Sequence, residues 1–463
     1  MKFLHIVSLL LISSSCFAQE YYTGIPETKD TSLEKMKQKT TLITANYKSL
    51  GSSASLRKYC PTPGDQSKYS TCAAWSTAYA ARTIVEAQKN GWRSDVISMN
   101  TFSPMFIYKL NNPYDADCSQ GAHPADLLEL MQRYGVPPLK DFSANCQVPG
   151  SSDYQKAAPF KINALQKIFY ITPYEGNIVS STDVLKIKKS ISEGNPVIIS
   201  FVCPRSFFSA KEVWQPTESA LTMNNYQHGR HAVCVVSFDD DKYGGAFEIM
   251  NSWGTGWGNG GFTWIPYDDF RKFTYAAVEM QKFEKQETVS KLSGTVQILD
   301  VNNAVMTATK QDGYRYKLDK AFSSGTRFKL YVKNNEPTNM YVIGADAKGN
   351  FSLLFPSKNS ISPSLNYPNS TVAIPSEQTH IRMDNNTGRD YMVVIYTKKE
   401  DYDIEQVMKQ LKSATGNFSE KVAAVLGKTI KNNNIQFEQR KIEFRSTAAD
   451  KGDVVLLVEI EHI

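Results

Sequence analysis

Three apolar spacings divide the chain into helical and extended stretches. In "CAAWSTAYAARTIVEAQKNG" (72–91), Trp75, Tyr79, Ala80, Ile84 and Val85 share one face at a period of about 3.6, and Gly91 supplies a stop. "ADLLELMQRYGVPP" (125–138) predicts a second helix, closed by Gly135 and two prolines. A third, "DVLKIKKSISEG", can be capped by Ser181 or Thr182 and runs into the apolar strand "PVIISFVC". A short Lys-rich helix is expected around Ser32–Lys39.

Beyond about Lys285 the period changes to two. "TRFKLYVK" sets Phe328, Leu330 and Val332 against Arg327, Lys329 and Lys333, the pattern of a half-buried strand. "MYVIGADAKGNFSLLFP" predicts a hairpin turning at Lys348, Gly349 and Asn350. "YMVVIYTK" and "VVLLVEIEHI" continue the strands, and two amphipathic helices interrupt them. The first carries Ile404, Val407, Met408 and Leu411, the second Phe418, Val422, Val425 and Leu426. The chain therefore reads as α+β, with helices early and strands late in a first domain at 57–284. A mainly-β, sandwich-like domain of unknown role follows at 285–463, and 19–56 is a short polar segment.

Composition changes little in this picture. With 463 residues, 41% hydrophobic and 21% charged, the chain is globular and too long for one core. A net charge of +6 without a dense Lys/Arg block gives no reason to expect nucleic acid. It allows association with an anionic cell envelope. The start is more informative. Lys2, the apolar run Phe3–Ile12 and small residues up to Ala18 form an export signal at 1–18, too short to span a bilayer. Lipid anchoring at Cys16 is the weaker reading, since Ser13 stands where bacterial lipoboxes prefer Leu. Export implies a periplasmic, surface or secreted protein and an oxidising compartment. No later stretch is a transmembrane candidate. The remaining cysteines are Cys60, Cys72, Cys118, Cys146, Cys203 and Cys234, and a nucleophilic thiol among them leaves at least one more unpaired.

A thiol attacks as thiolate and needs a base beside it. Within the first domain only His123, His228 and His231 can serve, and the first two read as loop residues. "GRHAVCVVSF" puts His231 at the head of an apolar strand. "AFEIMNSWGTGWGNGG" returns after an Asp/Gly turn, so a hairpin brings Asn251 back beside His231. Here the sequence resembles the papain-like cysteine peptidases, over roughly Cys60–Phe283. "NSWGTGWGNGG" (251–261) matches that family's signature without departure, "HAV" matches its His segment, and Gln66 precedes Cys72 at the family's six-residue offset.

The resemblance implies a helical lobe beside a β-barrel-like lobe, and an exported endopeptidase acting on polypeptide substrates. Cys72 would be the nucleophile, His231 the base, Asn251 its orienter, and Gln66 an oxyanion donor. Trp253 would shield the His–Asn bond. Gly121 and Ala122 in "DCSQGAHPADLLEL", together with Ala232, would line the substrate groove, and Cys118 would pair with Cys146. No cofactor or metal is expected. Only 41 residues separate Ala18 from Cys60 (60 − 19), too few for the family's usual helical pro-domain, so no cathepsin-like zymogen is expected. The opening loop departs from the family pattern: Ser67, Tyr69, Ser70 and Ala73 replace Gly, Cys, Gly and Trp. These departures motivate an alternative, a papain-shaped scaffold without turnover. A third reading makes the β domain, which is similar to an uncharacterised bacterial module, an adhesion or docking element with the main role.

Overall fold

The computed structural model describes residues 21–172, 176–219, 229–283, 292–399, 401–430, 434–446 and 452–463. The expected export signal at 1–18, Cys16 within it, and His228 lie outside the described residues.

The predicted first helix begins at Cys72 and continues through Cys72–Ala74, Trp75–Arg82 and Thr83–Asn90, ending on Gly91 at φ +62. Its middle part widens to π geometry, which the side-chain period does not announce. This helix is buried on all sides except its last turn. It packs on the strand Gly229–Asp239, the element that carries His231. Helices Pro104–Asn111 and Pro124–Tyr134 complete the helical side. The third predicted helix is Ser181–Ser192, capped by the Ser180 hydroxyl rather than by Ser181 or Thr182.

Opposite lies an antiparallel sheet in the order Leu165–Tyr170, Thr274–Met280, Val197–Cys203, Gly229–Asp239, Ala246–Met250, Phe262–Pro266. Strand Ser53–Ser55 also pairs with Gly229–Asp239. The first unit thus begins before residue 57: Ile25, Leu33 and Leu56 pack in its core, and Ser53–Ser55 adds to its sheet. The short Lys-rich helix covers only Thr31–Lys35. Lys37–Lys39 extend instead, because their backbone is taken up by Lys167 of the first strand.

The second unit is a sandwich of two sheets. Alternate residues explain its layers. Val342, Val394, Leu456 and Val458 face Ile298, Leu330 and Val332 across the inner core. Ile343, Val393, Ile395 and Leu457 point to the other face, where helices Ile404–Ser413 and Phe418–Ile430 cover them with Leu411, Phe418 and Val422. The predicted hairpin joins Thr338–Ala345 to Phe351–Phe355. Lys329, expected on a wet face, is instead buried, with its ammonium donating to the Glu377 carbonyl at 3.0 Å.

Candidate active site

The hairpin does what the sequence requires of it. Cys234 pairs with Met250, so the register carries Asn251 to the level of Val233, on the same face as His231 two residues away. His231 Nε2 and Asn251 Oδ1 meet at 2.7 Å. Oδ1 also accepts the Ser252 amide at 2.8 Å, which identifies it as the oxygen and makes Nε2 the donor. The proton-accepting nitrogen is then Nδ1, which has no hydrogen-bond partner among the described residues. Trp253 stacks on the imidazole with ring centroids 4.6 Å apart and is itself buried.

Cys72 opens the helix at its N-terminus, where the aligned peptide dipoles favour a negative sulfur. The backbone amides of Ala232, Ala73 and Gly24 lie close enough to the sulfur to favour its thiolate, which sets the thiol beside the residue that follows His231. Both groups are fully buried. Burial pushes the Cys72 thiol up to about 12, against the pull of those amides. Burial likewise pulls His231 down to about 4, opposed by its bond to Asn251. Burial thus favours the neutral form of each group.

What seals them is the chain's own N-terminal segment. The Tyr22 carbonyl accepts from Gln66 Nε2 and from Trp253 Nε1, each at 3.0 Å. Tyr21 stacks on Trp253 with centroids 4.7 Å apart. The amides of Gly24 and Ile25 donate to the Arg230 carbonyl at 3.3 and 3.2 Å, and the Gly24 carbonyl accepts the Ala122 amide at 2.9 Å. A Cβ on Gly24 would lie 2.3 Å from the Ser70 carbonyl oxygen, and one on Gly121 would lie 2.4 Å from the Gly24 oxygen. An extended peptide therefore fills the groove and is held by main-chain bonds from both walls.

The expected groove residues all meet this strip or the thiol. Ala122 makes the backbone bond, while the amide and carbonyl of Gly121 are engaged by Tyr108 and Asn112. Trp253 holds Tyr22, and Ala232 faces the sulfur. Gln66 is held in place by Ser252, whose hydroxyl donates to Oε1 at 2.6 Å. Sequence reasoning passed over Ser252 and the strip at 21–26, whose signal is slight: Gly24 between β-branched Thr23 and Ile25, with Pro26 forcing extended backbone. Ser67, in place of a glycine, still adopts the left-handed conformation at φ +54, its amide bonded to Asp65 at 2.7 Å. His123 sits beside the strip, with Nε2 3.1 Å from the Thr28 hydroxyl. Cys118 and Cys146 form the expected disulfide. Cys60, Cys203 and Cys234 are free thiols, and Cys203 and Cys234 do not pair with each other.

Residues 54–283 match the sequence model of the papain family cysteine proteases, and residues 321–400 match a domain of unknown function, DUF4384. An uncharacterised peptidase C1-like protein of Acanthamoeba polyphaga mimivirus is 27% identical over 270 residues, 53% of this chain and 80% of its own. Similar solved structures include xylellain, a cysteine protease from Xylella fastidiosa. It is 19% identical with a TM-score of 0.45, over 57% of this chain and 97% of xylellain. Another is digestive procathepsin L 3 of Tenebrio molitor larval midgut, 16% identical with a TM-score of 0.40, over 53% and 76%. Residues 54–283 are thus a papain family cysteine protease domain by their sequence match, and a DUF4384 match lies behind it.

Proposed function

We propose that the protein is an exported cysteine endopeptidase that hydrolyses extended polypeptides and is latent in the state described. One observation carries this reading: the groove over Cys72 already holds a peptide by its backbone, with a peptide carbonyl on the Gln66 amide. In the open enzyme the thiol proton passes to His231 Nδ1, and the thiolate adds to the substrate carbonyl carbon. The resulting oxyanion is held by Gln66 Nε2 and the Cys72 amide. Collapse breaks the C–N bond, and the amine leaves with the proton from the imidazolium. Water, deprotonated by the imidazole, then attacks the acyl-thioester. The C–S bond breaks, the acid leaves, and the thiol is restored. Asn251 keeps the productive tautomer throughout.

A second reading, a scaffold without turnover, draws on the loop replacements and on the complete burial of Cys72 and His231. The two separate by opening the groove. Gly24→Val, which collides with Ser70, should allow an irreversible epoxide to label Cys72 and should allow fluorogenic peptides to be cut. Both signals should vanish on adding Cys72→Ala. An opened protein that does neither is a scaffold.

A further inference from the structure

The strip in the groove does not end there, and its continuation leaves the peptidase domain. Residues 27–29 are exposed, after which Leu33 packs into the peptidase core. Gln38 then pairs in parallel with Lys167 on one side and with Ile361 of the β domain on the other. Its amide donates to the Ser360 carbonyl at 2.6 Å, and its carbonyl accepts from Ser362 at 2.8 Å. The Lys39 ammonium reaches Glu279 and Ser190 of the peptidase domain and Tyr367 of the β domain, all buried. From Leu42 to Tyr47 the chain is part of the β domain. Leu42 and Tyr47 belong to that domain's inner core. The Ile43 amide donates to the Thr371 carbonyl at 2.9 Å, and the Asn46 side chain bonds the backbone of Asn369 and Thr371 at 3.0 and 2.9 Å.

We propose that the C-terminal domain is the anchor of an intramolecular inhibitor. Residues 21–48 form one strap, plugged into the catalytic groove at one end and built into the β domain at the other, so the groove opens when this attachment is cut or loosened. The proposal rests on the peptidase reading above. Its physical basis is effective concentration. A strip held by a handful of main-chain bonds is a weak ligand when free, but tethering keeps it at roughly millimolar local concentration. The attachment also has room to give. A cavity of about 470 Å³ runs along residues 38–47, between Leu185 of the peptidase domain and Phe355, Val372 and Glu377 of the β domain.

The test uses the full chain and reads the rate at which a small epoxide labels Cys72. Gly24→Val, with strap and β domain intact, is the reference for an empty groove. Cutting the chain at a specific protease site placed over 27–29 should speed labelling at least tenfold and release the strip. Asn46→Ala, in an uncut chain whose melting temperature confirms folding, should speed it severalfold. If the cut and the seam variant label at the wild-type rate while Gly24→Val labels fast, the strip holds itself and the anchor is wrong. If Gly24→Val itself is never labelled, the peptidase reading fails and takes the anchor with it.

Discussion

His231 and Asn251 are joined at 2.7 Å by a bond that leaves Nδ1 of the imidazole as its basic nitrogen. The amide positions the ring and does not react. Asn251→Ala, made in the opened Gly24→Val enzyme, should therefore lower kcat/KM by about 10- to 100-fold, or ~1.4–2.7 kcal/mol of transition-state stabilisation. Steady-state peptide cleavage checks this, and an unchanged kcat/KM would remove Asn251 from the machinery.

Gly121 faces Gly24 across the groove, and a Cβ there has no room while the strip is docked. Gly121→Ala should push the strip out and accelerate epoxide labelling of Cys72. The same wall would meet a substrate, so KM for peptides should rise. Faster labelling with weaker peptide binding is the expected pair.

Ser67 holds a left-handed backbone at φ +54, which costs a residue with a Cβ about 1–2 kcal/mol. Part of that is regained in the unfolded chain if glycine replaces it. Ser67→Gly should therefore stabilise the protein modestly, by up to about 1 kcal/mol in denaturant unfolding. A loss of stability would show that the serine hydroxyl contributes more than its conformation costs.

Asp30 accepts the Leu33 amide at 2.8 Å in a buried site facing His123, Asp126, Glu129 and Lys167. Burial raises its pKa from 3.8 to about 6, with Asp126 and Glu129 adding to the rise. The folded state therefore holds a proton that the unfolded chain gives up. Stability from this group is present below pH 4 and is lost as pH rises through 6, by roughly 2–3 kcal/mol. Asn keeps the helix cap and does not titrate. Asp30→Asn should gain stability over wild type between pH 4 and 7 in melting experiments, and parallel curves would refute it.

Much of the site could be read from the sequence because its parts are locally encoded. The helix at Cys72 follows from its apolar face, the His231–Asn251 approach from a hairpin register, and Gln66 from its offset. The disulfide came from family positions rather than from spacing. The sandwich strands showed in alternation, although 391–397 is buried on both faces because two helices cover the second one. The strap could not be read this way. An extended segment bonded by its backbone has no side-chain period to detect. Leu42 and Tyr47 look like stray apolar residues until partners roughly 250 to 420 residues later surround them.

One further consequence follows from the position of Leu165–Tyr170 at the end of its sheet. The outer rim of that strand is occupied by Lys37–Lys39, whose amides and carbonyls satisfy Lys167. A fragment trimmed to 54–283 would strip this cover and bare a row of unsatisfied peptide groups, the kind of surface that recruits strands from neighbouring molecules. Trimmed to its family boundaries, the protein would trade a shut groove for a sticky flank, and should assemble with itself more readily than the whole chain.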